Sequence, residues 1–194
     1  MTREMIKNVF TSILLLITQP ARAWDMLSKR EESHQEYLSR FVYPLIIFAT
    51  VAAFLGKLYQ GHDEERMQVA LKEATITLTT LFGGFYLAAF ALKQVAGRWF
   101  PTIKGDSRFF QKYVGYASCI TFVIVAVLEL IPDFFFIKVG ELYVIYIIWE
   151  SIGPFVKLDE KKRITFTAVF SALVLLSPVF IEKILFSLMP GLKP

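Results

Sequence analysis

Residues Phe41–Tyr59 read FVYPLIIFATVAAFLGKLY, nineteen residues with one charge, Lys57, near the end. An α-helix rises about 1.5 Å per residue, so about 20 apolar residues cover the ~30 Å hydrocarbon core of a bilayer. Four further stretches have the same character: Ala74–Leu92, Tyr113–Ile131, Phe134–Trp149 and Ile164–Phe186. In lipid every backbone N–H and C=O must be satisfied within the protein, and for segments of this length that means helices. The expected fold is therefore all-α: a polytopic membrane protein of five transmembrane helices, preceded by an amphipathic interfacial helix.

Composition agrees. The 194 residues are 55% hydrophobic and the mean hydropathy is +0.52, outside the range of soluble domains. The expected organisation is an N-terminal cytosolic or interfacial segment, residues 1–40, and a single bundle, residues 41–194. The net charge of +4 is modest. In a membrane protein a basic balance reflects orientation, and with 19 Phe, 8 Tyr and 3 Trp the aromatic excess points to lipid contact. Nothing here supports nucleic-acid binding. The single Cys119 allows no disulfide framework and no Cys/His metal spacing.

Lys and Arg set the expected orientation. Six precede the first stretch (Arg3, Lys7, Arg22, Lys29, Arg30, Arg40), five occupy the second loop (Lys93, Arg98, Lys104, Arg108, Lys112) and four the last loop (Lys157, Lys161, Lys162, Arg163). The alternate segments hold Lys57, Arg66 and Lys72, then none, then Lys183 and Lys193. Five spans with the N-terminus inside and the C-terminus outside place fifteen on the cytoplasmic side against five. Asp63, Glu64 and Glu65 fall in an outside loop.

Within the first segment Met5, Ile6, Val9, Phe10, Ile13, Leu14, Leu16 and Ile17 share one broad helical face, and Pro20 ends it. A cleaved signal peptide would reverse every later loop against the charge count, so the helix is expected to lie flat in the interface with Trp24 at headgroup depth. Arg98 and Trp99 form a second expected interfacial anchor.

Ionisable groups inside spans are costly, which makes them candidate sites. Three qualify: Glu129, Lys138 and Glu141, taken as ligand-binding candidates. Lys138 and Glu141 are three apart on one helical face, within pairing reach. One reading is a satisfied ion pair that sets helix register. The other is a polar cluster lining a cavity that binds a lipid headgroup or relays a proton. Whether the three groups line a water-accessible cavity or lie dry against one another separates the two. No catalytic motif, metal site or cofactor loop is present, so no enzyme activity and no cofactor is expected.

Several local sequences carry a family likeness. Thr18-Gln19-Pro20-Ala21-Arg22-Ala23-Trp24, the entry Tyr37-Leu38-Ser39-Arg40-Phe41-Val42-Tyr43-Pro44-Leu45, and Gly115-Tyr116 resemble elements of the Yip family of membrane proteins, named for interaction with Ypt/Rab GTPases. Ile120 stands where the family's Gly-Tyr-x-x-x-Pro motif has Pro, and the Asp-Leu-x-Gly-Pro element of eukaryotic members is missing. The resemblance implies a bacterial inner-membrane relative of unassigned activity and does not imply Rab binding. Two functions follow: a non-enzymatic scaffold or adaptor, which is preferred, or a small transporter or lipid-handling protein using Glu129, Lys138 and Glu141. Five short helices leave little room for a wide aqueous path, which favours the scaffold or a lipid groove opening sideways. Expected partners are membrane lipids and, for a scaffold, another membrane or peripheral protein.

Overall fold

A computed structural model describes residues 3–60 and 65–192, with side chains from residue 9 onward. His62, Asp63 and Glu64, and the side chains of Met5, Ile6 and Lys7, lie outside the described residues. The described chain is all-α. Helices α1 (Arg3–Thr18) and α2 (Pro20–Ser28) meet at Pro20, which ends one helix and opens the next, where its missing N–H costs nothing. Helix α3 runs His34–Gln60 and α4 runs Arg66–Trp99. Helices α5 (Ser107–Ala117) and α6 (Cys119–Leu130) follow, then a 3-10 segment (Pro132–Leu142), α7 (Tyr143–Glu150) and α8 (Arg163–Leu188).

The expectation of five membrane-spanning helices is not met. Among the described residues three helices are long and apolar enough to cross a bilayer: His34–Gln60, Arg66–Trp99 and Glu160–Leu188, the last counting a short 3-10 lead-in to α8. A fourth is reached only if α5 and α6, bent by 46° at Ser118, count as one span. The stretch Phe134–Trp149 is not a long α-helix. Its first part is 3-10, with Phe134 at φ −84°, ψ 27°, and its α-helical part, α7, is eight residues long.

Anchors at both ends account for that extended form. Pro132 follows α6 directly, with the Phe134 N–H bonded to the Ile131 carbonyl at 3.1 Å. At the far end Tyr143 donates to the Ile17 carbonyl (2.7 Å) and the Trp24 indole N–H to the Ile147 carbonyl (2.8 Å). Eleven 3-10 residues cover about 22 Å, against about 16 Å for α-helix. No residue of this segment is fully buried; Ile137 packs on the core from its edge, and Gly140 lies against Ile124.

Proline shapes the long helices too. Pro44 has no N–H for the Arg40 carbonyl, and a wide π turn, Leu38–Val42, sits just ahead of it and makes room for its ring. On α8, Pro178 interrupts the ladder beside Gly84 of α4. A Cβ on Gly84 would stand 2.7 Å from the Pro178 Cα and 2.8 Å from its Cγ, so the absence of a side chain lets the helices meet at the interruption. Gly56 plays the same part on α3, where a Cβ would run into the Glu129 carbonyl of α6.

Three connecting segments gather at one end. Trp24 stacks on Tyr113 with ring centroids 5.3 Å apart and packs on Phe155 at 4.8 Å. Phe100 meets Phe166 at 5.5 Å, Phe109 stacks on Phe155 at 5.4 Å, and the Arg163 guanidinium lies 4.2 Å over the Trp149 ring. The segments richest in Lys and Arg, before α3, between α4 and α5, and between α7 and α8, therefore share one end of the bundle.

Candidate functional site

The opposite end holds a cavity of about 340 Å³ walled by α3, α4, α6, the 3-10 segment and α8. Glu129, Lys138 and Glu141, singled out by their charge within apolar sequence, all line it. Each arrives by a different route. Gly56 lets α6 approach α3 closely at the level of Glu129. Lys138 and Glu141, three apart, lie on one edge of the 3-10 segment, whose period is three residues. Among the described residues no ion pair within 4 Å joins these three groups; the pairs found are Lys29–Asp25, Arg30–Glu32, Arg40–Glu36 and Arg163–Glu160, all at the other end.

Tertiary structure adds residues that the apolar-stretch reading passed over. Lys57, Glu73 and Glu182 line the same cavity. Each lies near the end of a long helix and reads in sequence as an ordinary flanking charge. The wall also carries Thr77, Thr80 and Thr121. Thr121 is only 9% exposed, and its hydroxyl, like that of Thr80, is buried with no hydrogen-bond partner. The run Thr75-Ile76-Thr77-Leu78-Thr79-Thr80 within an otherwise apolar helix was the available sequence signal. The cavity thus combines four carboxylates, two ammonium groups and unspent hydroxyls, a set able to hold a group bearing both signs of charge.

Trp24 is fully buried in protein, between Tyr113, Tyr116 and Phe155, and does not present its ring to lipid. Its N–H satisfies the Ile147 carbonyl, because the Ser151 N–H that would complete an α turn bonds Ile148 instead, at 3.1 Å. Trp99 is 56% exposed and Arg98 is exposed beside it, while the adjoining Phe100 is buried against Phe166 and Phe170. The Gly115-Tyr116 pair sits in the same aromatic cluster, with the Tyr116 hydroxyl bonded to the Glu32 carboxylate at 2.7 Å. Among the described residues no group of three or more His, Cys, Asp or Glu has metal-binding geometry.

Long apolar helices around a mixed-charge cavity define a helical integral membrane protein. The Yip1 domain matches residues 14–181, most of the chain, and the protein belongs to that family. No curated protein and no solved structure matches it. Family membership makes it a non-enzymatic membrane protein.

Proposed function

We propose that this protein is a lipid-handling or small-transport member of its family, and that the cavity of Glu129, Lys138 and Glu141 binds a polar ligand carrying both signs of charge. The observation that carries this reading is the cavity itself. The three ionisable groups line open space and are not closed on one another as ion pairs. A pair that only set helix register would be expected in direct contact, since separated charges in a low-dielectric setting lose their mutual compensation.

The basic end faces the cytoplasm of a bacterial inner membrane on this reading, and the cavity opens on the far side with the C-terminus. What supports the sidedness is the convergence of three Lys/Arg-rich segments at one end, an arrangement that does not depend on the number of spans. The scaffold or adaptor reading keeps one observation in its favour. Phe10 and Leu14 of α1 are 66% and 51% exposed beside the basic segments, a surface for membrane or a second protein.

Native mass spectrometry of the protein in nanodiscs made from the lipids of its own membrane tests the proposal. A retained lipid or small polar molecule is expected in the wild type, and its loss from a folded Lys138→Met, Glu141→Leu double variant. A double variant that keeps the same ligand, or a wild type that holds none, refutes the reading.

A further inference from the structure

Hydroxyls inside apolar helices ordinarily bond the carbonyl one turn back. Thr50 does so to Ile46 (2.8 Å), Thr75 to Leu71 (2.8 Å) and Ser177 to Leu173 (2.6 Å). Thr80, Thr121, Thr167 and Ser171 do not; their buried hydroxyls have no partner, and neither does the Nε of Arg163. Leaving a buried donor unpaired carries a cost that Val or Ala at the same positions would avoid.

These five groups share one route. Arg163, Thr167 and Ser171 are four apart and occupy one face of α8. Thr167 and Ser171 line a second cavity, a groove of about 450 Å³ between α7 and α8, bounded by Ile145 and Trp149 and widened by the small Ala168 and Ala172. Leu175, the next residue on that face, lines both the groove and the charged cavity, where Thr121 and Thr80 take over. From Arg163 to Glu182 the face is about 28 Å long, close to the ~30 Å hydrocarbon thickness. The groove rim is exposed, with Ile164 74% accessible and Ile145 also open, so it faces sideways into lipid.

We propose that this face of α8 is a transbilayer track for the headgroups of zwitterionic phospholipids, whose acyl chains stay in the surrounding bilayer. The inference rests on the cavity being a ligand site, as proposed above. A headgroup crossing hydrocarbon forfeits its hydrogen bonds unless the protein supplies replacements. Hydroxyls already bonded to their own backbone supply few; the unspent ones, buried just beneath the cavity walls and one helical turn apart on α8, supply them when the wall side chains part around a headgroup. Arg163 at one end and Lys57 and Lys138 at the other suit the phosphate, and the cavity glutamates suit the ammonium. A lateral opening favours a tethered headgroup over a free solute, which an enclosed pore would serve better.

The test uses the full chain reconstituted into phosphatidylethanolamine/phosphatidylglycerol vesicles that contain a phosphatidylethanolamine labelled with nitrobenzoxadiazole on its acyl chain. Dithionite added outside bleaches only the outer leaflet unless lipid crosses. Wild-type vesicles are expected to bleach beyond the protein-free level. Ser171→Leu and Ala172→Phe, which fill the groove, should slow that second phase by about tenfold or more, as loss of one polar step and its room would. Ser171→Ala keeps the packing and should slow it less, whereas Thr50→Val, off the track, should leave it unchanged. Wild-type bleaching no greater than that of protein-free vesicles overturns the proposal, as does crossing by the groove-filled variants at the Thr50→Val rate. Release of entrapped phosphoethanolamine without lipid crossing overturns it too. If the nanodisc experiment still shows a retained ligand in those cases, the cavity reading stands and the track alone is lost.

Discussion

Replacing Trp24 by Phe separates an interfacial anchor from a structural clamp. The substitution removes the indole N–H that satisfies the Ile147 carbonyl, and it shrinks a fully buried ring stacked on Tyr113. An acceptor left unsatisfied in the interior costs about 1–3 kcal/mol. Weakened stacking and unfilled volume add about 1 kcal/mol or more. The expected loss is therefore about 2–4 kcal/mol, a large fraction of ordinary stability. Because Trp24 lies on α2 and Ile147 on α7, the loss should loosen α7 against the bundle and raise amide exchange at Ile145–Trp149 ahead of α4. Unfolding of the purified protein in one fixed detergent, with Trp99→Phe as the exposed control, measures it. An anchor at headgroup depth would cost little in detergent and show its effect only in lipid. A Trp24→Phe variant as stable as Trp99→Phe would refute the clamp and return Trp24 to the interface.

Two further outcomes follow from packing. Gly84→Ala should destabilise the protein by about 1–3 kcal/mol, because its Cβ meets the Pro178 backbone; Gly97→Ala on the same helix has no atom within 4 Å of its Cβ and should be stabilising by about 0.5–1 kcal/mol in the same thermal unfolding assay. Cys119, fully buried, should resist maleimide in the folded state and label only on unfolding, so that labelling at native temperature would contradict its placement.

Much of the architecture was legible because hydropathy and proline act locally. The apolar character of Phe41–Tyr59, Ala74–Leu92 and Ile164–Phe186 requires helix in a medium that offers the backbone no partners, and these stretches are within the three long helices. Pro20 marks a helix boundary because its chemistry is carried by one residue. Glu129, Lys138 and Glu141 stood out because each is anomalous against its own neighbours.

What only the tertiary structure decided depends on contacts between distant residues. Apolarity counts side chains and is blind to pitch, so nothing in Phe134–Trp149 disclosed that anchors at Pro132 and at Trp24–Ile147 draw it into 3-10 form. The 46° bend at Ser118 was equally hidden, since serine occurs in straight helices too. Trp24 looked like an interfacial residue because an indole suits both the headgroup layer and a core with one carbonyl to satisfy; only the packing of α2 against Tyr113 and α7 distinguishes them. Lys57, Glu73 and Glu182 read as flanking charges until helix packing through Gly56 and Gly84 brings their helix ends around one cavity. Charge and hydropathy are properties of residues and could be read singly, whereas a cavity is a property of the space between helices and exists only once they are packed.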